Sequence, residues 1–245
     1  MSIKPAFEEK VRPEYRLPPL IPGILIRRYK RFLADVELKD GRRVVAHCPN
    51  SGKMTACCEP GRTVYLSRQD SPKRKLKYTW ELIQMDDSLV GVNTLTPNRL
   101  VAASVAAGAV PELAGYRKVV REVKVGNNSR IDLLLTGNGR RDCYLEVKNC
   151  TLVEKGRACF PDAVTVRGRK HLTELQQLAA SGNRCVMFYL IQRTDAATFR
   201  PADSIDPDYG QKLRLAAGGG VEILAYDVRI DLRSIRLNRP IPFVL

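Results

Sequence analysis

Residues 129–135 read SRIDLLL and residues 143–149 read CYLEVKN, and these two stretches decide the fold of the second half of the chain. In each stretch a carboxylate stands between apolar neighbours, which is the period-two pattern of a β-strand. A Gly-Asn-Gly turn between them favours a hairpin. In such a hairpin Asp132 and Glu146 lie side by side, and Lys148 shares the face of Glu146.

The paired carboxylates indicate a metal site. Two carboxylates at short range repel each other and are costly to remove from water, so a structure that pairs them usually supplies a cation. In phosphodiester hydrolysis, a divalent ion held by Asp132 and Glu146 would neutralise the scissile phosphate and lower the pKa of a bound water. Lys148 would orient that water, help to remove its proton or stabilise the transition state. We therefore predict Mg²⁺ or Mn²⁺ at Asp132 and Glu146, with Lys148 as a catalytic residue and Glu122, on the preceding predicted strand, as an accessory carboxylate.

The order of elements around this pair strengthens the prediction. The motif is weak alone, because a Glu-x-Lys on a strand is more often part of a solvated face. The pattern of the second half of the chain, however, predicts a series of helices and strands around the pair. First come helix 98–107, capped by Thr96, and strands 116–125, 129–136 and 142–152, which are joined by turns at 126–129 and 137–139. Helix 168–181, strand 184–192, a helix from Asp206-Pro207 to 218–220, and strand 221–226 follow. The resulting α-β-β-β-α-β order is the core of restriction-endonuclease-like nucleases, with the Asp on the second strand and the Glu-x-Lys on the third.

The first part of the chain has a different pattern. Over residues 23–93, short β-branched or aromatic runs are separated by Gly, Pro, Asp and Asn, which is typical of a small barrel or a sandwich. A five-strand barrel suits nucleic-acid binding, but the pattern does not separate it from a sandwich. One short helix fits in residues 52–58. We therefore predict two domains, residues 1–93 and 94–245.

The composition indicates a folded protein that attracts polyanions. The chain has 245 residues with 41 Lys and Arg against 26 Asp and Glu, a formal net charge of +15, and 44% hydrophobic residues. That hydrophobic share allows a substantial core and excludes disordered and collagen-like classes. Because both halves share the positive charge, nucleic acid is the favoured partner, and a merely basic surface is the alternative.

Membrane and secretory classes are also excluded. No apolar run approaches the length of a membrane span, and the first 23 residues carry charges and prolines where a secretory signal needs apolar residues. Seven cysteines at irregular spacing favour reduced thiols. Zinc at His47, Cys48, Cys57 and Cys58 is disfavoured, because adjacent ligands do not easily reach one tetrahedral ion. We expect a soluble, cytoplasmic protein with no membrane partner.

Several basic clusters are candidates for nucleic-acid contacts. In the first domain they are Arg28, Lys30, Lys73, Arg74, Lys75 and Lys77, interleaved with aromatic side chains. At the start of the predicted helix 168–181 they are Arg167, Arg169 and Lys170, where backbone N–H groups already favour anions. Solvated basic surfaces are the alternative. We further predict that Trp80 is a core residue, that His171 is a possible base, and that Asp162 lies in a helix-entry loop rather than at the metal.

Distinctive blocks of sequence run along nearly the whole chain. They are 47–54 (HCPNSGKM), 97–101 (PNRLV), 122–132 (EVKVGNNSRID), 145–153 (LEVKNCTLV), 160–165 (FPDAVT), 167–172 (RGRKHL), 199–201 (FRP) and 206–207 (DP). In this order they resemble the sugar fermentation stimulation protein A family of bacteria and archaea. Cys57 and Cys58 depart from the commoner family pattern, which has a carboxylate and leucines there.

The resemblance implies a barrel of the oligonucleotide-binding (OB) type and non-specific DNA binding linked to expression of sugar-utilisation genes. The predicted fold class is therefore α+β: an OB-like β-barrel followed by a restriction-endonuclease-like α-β-β-β-α-β domain with a mixed sheet. Two functions stay open. One is a divalent-metal-dependent nuclease with little sequence preference, and the other is a non-catalytic DNA-binding regulator of sugar-utilisation genes. DNA is the favoured partner in both, and the oligomeric state is left open.

Overall fold

The structure is a computed structural model that describes residues 13–126 and 129–245. Part of the predicted turn at 126–129 lies outside these described residues. The first described element is a short strand, β1 (Glu14–Arg16), after which the chain builds a barrel and then a larger mixed sheet.

The barrel is closed. Its strands are β2 (Leu20–Tyr29), β3 (Leu33–Leu38), β4 (Arg43–His47), β5 (Thr63–Arg68), β6 (Tyr78–Gln84) and β7 (Leu89–Gly91). They lie in the order β4-β3-β2-β5-β6-β7, and a pairing between β4 and β6 closes five of them into a ring. Leu25, Val36, Leu66 and Trp80 fill the interior. The barrel and the core position of Trp80 are therefore confirmed, whereas residues 52–58 form turns rather than the predicted helix.

The described residues of the larger domain form strands, three α-helices and one short 3₁₀ helix, Pro111–Leu113. Its elements are α1 (Thr96–Ala106), β8 (Lys118–Val125), β9 (Ser129–Thr136), β10 (Cys143–Cys150), β11 (Leu152–Glu154), β12 (Arg157–Phe160), α2 (Val166–Ala180), β13 (Arg184–Ile191), β14 (Thr198–Pro201), α3 (Pro207–Gly218), β15 (Val221–Ile230) and β16 (Ser234–Pro240). The predicted α-β-β-β-α-β order is present. Within the described ranges, no helix is both long enough and apolar enough to cross a membrane.

Seven strands form the mixed sheet, in the order β1-β16-β15-β13-β10-β9-β8. β13 pairs in parallel with β10 and β15, and the remaining pairs are antiparallel. Leu100 and Val105 of α1 pack on one face, and Leu172 of α2 and Leu213 of α3 pack on the other. β13 is therefore covered on both faces, as its continuous apolar sequence predicts.

Two predicted boundaries are wrong, the first for a local reason and the second because the chain enters a separate sheet. α1 begins at Thr96, and the residue before it, Leu95, makes no side-chain cap. The Oδ1 atom of Asn93 instead accepts a hydrogen bond from the N–H of Leu95 at 3.0 Å, so Asn93 rather than Thr96 organises the turn into the helix. The predicted strand 142–152 also divides: β10 ends at Cys150, and β11 joins a separate three-stranded sheet with β12 and β14.

β1 departs from the predicted domain division. Although it lies within residues 1–93, it pairs antiparallel with β16 at the edge of the larger sheet. A cut between residues 93 and 94 would therefore remove a strand from that sheet. The rest of the division stays a prediction.

One loop of the barrel contacts the larger domain directly. The N–H of Met54 donates a hydrogen bond to Oδ2 of Asp162 at 2.9 Å, and a Cβ added to Gly52 would overlap the same carboxylate. Arg28 supports the loop from the barrel side by donating hydrogen bonds to the carbonyl oxygens of Asn50, Gly52 and Lys53. Asp162 lies in the loop before α2, as predicted, where it connects the two domains.

Candidate functional site

The site begins where β9 and β10 separate. Their register runs from the pair Cys143 and Leu135 to the pair Leu145 and Leu133, and then stops. The next two residues in this register are Asp132 and Glu146. Instead of continuing the ladder, Asp132 accepts a hydrogen bond through Oδ2 from the N–H of Val147 at 2.8 Å. The end of the ladder thus places the two predicted carboxylates next to each other.

Asp132 is held from two sides. Its Oδ1 atom accepts a hydrogen bond from Nδ2 of Asn98, in the first turn of α1, at 2.6 Å. Burial raises the pKa of Asp132 to about 6, the charge of Glu146 adds to this rise, and the N–H of Val147 and the charge of Lys148 oppose it. A carboxylate with such a raised pKa is one that a nearby cation would stabilise.

Glu146 has an asymmetric set of partners. Its side chain is buried, and Oε1 accepts hydrogen bonds from Nζ of Lys148 at 2.6 Å and from Nδ1 of His171. Burial favours a raised pKa, but Lys148 and His171 outweigh it and hold the pKa of Glu146 below its ordinary value. The second oxygen, Oε2, is buried and has no hydrogen-bond partner. A buried carboxylate oxygen without a partner is costly unless a ligand completes it.

Glu122 faces Asp132 across the β8–β9 pair. It lies between the registered pairs Arg121 with Leu133 and Val123 with Ile131, and its φ of +56° interrupts the ladder there. Residues other than Gly rarely adopt this left-handed conformation, and those that do occur in turns and cluster at functional sites. The charge of Glu122 contributes to the raised pKa of Asp132. The structure therefore brings all four predicted catalytic residues into one area.

A cleft of about 510 Å³ opens beside these residues. Its lining side chains and backbone come from Glu122, Lys124, Gly126, Ser129, Arg130, Arg167, Lys170 and His171. Four of these are basic, and none of the described lining residues comes from the barrel. A cleft with this lining has the charge to hold a phosphate backbone.

The basic residues predicted to contact nucleic acid lie in different parts of the structure. Arg167 and Lys170 line the cleft, whereas Arg169 pairs with Asp206 at 3.2 Å and with Asp208. Arg28 supports the loop described above, and its Nε atom is buried. Lys30, Lys73, Lys75 and Lys77 are exposed on the barrel, and Arg74 is half-buried, with hydrogen bonds to Gln69 and Thr79. Within the described residues, only Arg167 and Lys170 of the predicted contacts lie at the carboxylates.

Sequence reasoning missed three residues of this area. Asn98 orients Asp132, and Lys124 and Arg130 line the cleft. Asn98 belongs to the 97–101 block that carries part of the family resemblance, but that block alone indicates no chemical role for it. Lys124 and Arg130 face each other in the register of β8 and β9. Their spacing on two neighbouring strands is the signal that would have found them.

The oxygen atoms of the site match part of the ligand set that a divalent cation needs. Asp132 and Glu146 offer hard carboxylate oxygens of the kind that Mg²⁺ and Mn²⁺ prefer, and Oε2 of Glu146 has no other partner. In the part of the chain that the structure describes, no group of three or more His, Cys, Asp and Glu side chains is arranged around one metal position. The two carboxylates would therefore share an ion with water and substrate. The cysteines are all unpaired thiols, and no zinc cluster forms among the described residues.

Comparison with known proteins agrees with this architecture. The family described as "Sugar fermentation stimulation protein RE domain" matches residues 95–234, and "SfsA N-terminal OB domain" matches residues 26–92. Sugar fermentation stimulation protein homologs of Geotalea daltonii and Geobacter sulfurreducens are 52% and 55% identical over 231 and 224 residues, covering 94% and 91% of this chain and 100% and 96% of theirs.

A solved structure extends the comparison to the whole fold. The structure of Pyrococcus furiosus SfsA in complex with Ca²⁺ matches with a TM-score of 0.86 at 28% sequence identity, covering 94% of this chain and 98% of that chain. The predicted fold class, an OB-like barrel followed by a restriction-endonuclease-like domain with a mixed sheet, is thereby confirmed. The chain belongs to the sugar fermentation stimulation protein family.

Proposed function

We propose that this protein is a divalent-metal-dependent nuclease that hydrolyses phosphodiester bonds of nucleic acid, with DNA favoured and little sequence preference. One observation carries the proposal. Oε2 of Glu146 is buried without a partner next to Asp132 and Lys148, at the open end of the β9–β10 ladder. A protein that used these carboxylates only for stability would gain by satisfying that oxygen.

Asp132 and Glu146 would hold the ion, as Mg²⁺ or Mn²⁺. The Ca²⁺ in the Pyrococcus furiosus structure supports a divalent cation for a member of this family. When bound, such an ion supplies charge to neutralise the scissile phosphate and to activate a water. Asn98 and the N–H of Val147 keep the carboxylate of Asp132 in one orientation, so the site is organised before the ion arrives.

The other residues of the site act on the substrate. Lys148 ends within hydrogen-bond distance of Glu146 and is positioned to orient a water, help to remove its proton, or stabilise negative charge on the phosphate. Lys124, Arg130, Arg167 and Lys170 supply positive charge along the cleft. Contacts of this kind go to the phosphate backbone rather than to base edges, which is why we propose little sequence preference.

A non-catalytic DNA-binding protein is the second candidate, and a specific observation favours it. Both oxygens of Asp132 are already hydrogen-bonded, and Lys148 is paired with Glu146. In that function the carboxylates and the lysine neutralise one another, and the basic cleft and barrel alone bind DNA. Both candidates predict DNA binding that weakens with salt, so binding does not distinguish them.

Cleavage in the presence and absence of metal distinguishes them. End-labelled single- and double-stranded DNA and RNA are incubated with Mg²⁺, Mn²⁺ or EDTA and the wild-type protein, Asp132→Ala, Lys148→Ala, or Lys39→Ala as a matched control. Lys39 is an exposed lysine of the barrel, so its loss removes the same charge elsewhere. We expect metal-dependent cleavage by wild type and Lys39→Ala, and none by the two site variants although they still bind DNA.

Metal binding is measured separately by thermal unfolding. An ion at 100 times its dissociation constant stabilises the folded state by about 2.7 kcal/mol, and Asp132→Ala should lose this effect. Cleavage that persists in both site variants would indicate another site or a contaminant. Absent cleavage with salt-sensitive DNA binding intact would favour the non-catalytic protein.

A further inference from the structure

A chain of three side chains connects the cleft surface to the buried carboxylate. Arg167 is exposed and lines the cleft, and its Nε atom lies 3.4 Å from Nε2 of His171. His171 is buried, and Nδ1 on the other side of its ring contacts Oε1 of Glu146. Arg167 and His171 are four residues apart in α2 and so lie on the same side of the helix.

The chemistry of Arg167 fixes the direction of both hydrogen bonds. A guanidinium group only donates, so Nε2 of His171 must carry a lone pair to accept from it. A neutral imidazole has one N–H, which is then on Nδ1 and donates to Glu146. The two contacts of His171 are therefore compatible with a single neutral tautomer. Free rotation or a reversed ring would lose one of them.

This tautomer determines which oxygen of Glu146 is free. The Nδ1–H of His171 occupies Oε1, which leaves Oε2 as the oxygen without a partner. Nζ of Lys148 donates to the same Oε1 at 2.6 Å, and in this tautomer its 3.3 Å contact with Nδ1 is between two donors that share one acceptor rather than a hydrogen bond. Without His171, Lys148 would be the only described side chain holding Glu146. With His171 present, Lys148 is free to turn toward a substrate while Glu146 stays in place.

We propose that His171 is a positioning residue, locked by Arg167 in its Nδ1–H tautomer, which orients Glu146 so that Oε2 receives the divalent cation. This inference rests on the proposed nuclease function only for the identity of the ion. Hydrogen bonds from surrounding residues to metal-binding side chains typically change metal affinity by about 10–100-fold. His171 contacts no substrate in this arrangement, and it acts through Glu146 and Lys148.

The tautomer is tested first, by nitrogen-15 NMR of the imidazole rings. The chain has only two histidines, so a spectrum of the wild-type protein contains two rings, and His47→Asn identifies which one belongs to His171. At a pH where the ring is neutral, we expect Nδ1 protonated and Nε2 unprotonated for His171. An Nε2–H tautomer would overturn the proposal. This measurement requires neither metal nor nuclease activity.

The consequence is tested by titrating Mn²⁺ into the full-length protein and following free Mn²⁺ by electron paramagnetic resonance. His171→Leu should bind Mn²⁺ about 10–100-fold more weakly than wild type. His171→Asn keeps an N–H donor near the position of Nδ1 and should recover much of the affinity. His47→Asn is the matched control and should bind as wild type does. Arg167→Ala should weaken binding less than His171→Leu, because Glu146 still favours the Nδ1–H tautomer.

The outcomes separate this proposal from the nuclease function. Wild type that binds Mn²⁺ but cuts no nucleic acid contradicts the nuclease and leaves the role of His171 standing. Folded His171→Leu that binds Mn²⁺ as tightly as wild type overturns the role of His171 and leaves the nuclease standing. Wild type that binds no Mn²⁺ overturns both. If His171→Leu does not fold, the NMR tautomer and the affinity of His171→Asn decide.

Discussion

The barrel and the larger sheet each bury a glutamate, and the two carboxylates have different hydrogen-bond partners. Glu81 of β6 is 5% exposed, and Glu146 of β10 is 2% exposed. In Glu81, Oε1 accepts a hydrogen bond from Oγ of Ser67 and Oε2 accepts one from Nδ2 of Asn93, both at 2.7 Å. In Glu146, one oxygen has two donors and the other has none.

Under the proposed function, the difference separates a structural carboxylate from one that holds the ion. Neutral donors give each oxygen of Glu81 a hydrogen-bond partner, so neither oxygen is left unsatisfied in the interior. Two donors that are able to carry charge hold only one side of Glu146, next to a second carboxylate. Burial alone does not distinguish the two residues. The carboxylate oxygen without a hydrogen-bond partner distinguishes Glu146 from Glu81.

The largest expected effect comes from exchanging each glutamate for glutamine. Glu146→Gln should lower metal-dependent cleavage by more than about 100-fold, because changing the groups around a ligand already costs 10–100-fold. Glu81→Gln should leave turnover unchanged and lower the free energy of unfolding by about 1–3 kcal/mol, because the new amide cannot accept from both Ser67 and Asn93. Initial cleavage rates and urea unfolding of both variants measure the two effects. Equal loss of activity in both variants would remove the distinction.

A smaller effect is expected in the pH dependence of stability. Because the pKa of Asp132 is raised from 3.8 to about 6 in the folded protein, its ionisation costs stability as pH rises through this interval. As pH rises to 8, Asp132→Asn should therefore gain up to about 3 kcal/mol of stability relative to metal-free wild type. This gain adds to a pH-independent loss of about 1–3 kcal/mol, because the amide cannot accept from both Asn98 and the N–H of Val147. The pH-dependent gain should be absent below about pH 3, where Asp132 is protonated in both the folded and unfolded states. Urea unfolding in EDTA at several pH values measures it, and a gain that is independent of pH would contradict the raised pKa.

The smallest effect concerns Asp162, which belongs with Glu81 on the structural side. Gly52→Ala would push the carboxylate of Asp162 away and break its hydrogen bond to Met54, with a loss of about 1 kcal/mol. Gly218→Ala is the matched control, because a Cβ there meets no atom within 4 Å. Thermal unfolding compares the two. If Gly218→Ala lowers the melting temperature and Gly52→Ala does not, the contact between the domains contributes nothing to stability.

The sequence was sufficient for the parts of the site that depend on local periodicity. Alternation along two strands and the turn between them predict that Asp132, Glu146 and Lys148 meet, because both follow from spacing within about 20 residues. The α-β-β-β-α-β order and the start of a helix at Asp206-Pro207 are local in the same sense. These predictions needed no information about distant contacts.

Other features depend on contacts between distant segments and left no local signal. Asn98 donates a hydrogen bond to Asp132 from another element, and Arg28 donates hydrogen bonds to the carbonyl oxygens of a distant loop. The end of β10 at Cys150 is set by the second sheet that β11 joins. Which oxygen of Glu146 lacks a partner depends on a histidine 25 residues away. Hydrophobic patterning does not predict these features, because each depends on which polar groups form hydrogen bonds with one another.

The pairing of β1 with β16 has a consequence for the order in which the protein is assembled. The partners of β1 are residues 234–236, so more than 200 residues are synthesised before this pair can form. The barrel lies wholly between them and can close first, because its strands are near neighbours along the chain. We therefore expect β1 to remain unpaired during translation until β16, the last described strand along the chain, is synthesised and pairs with it.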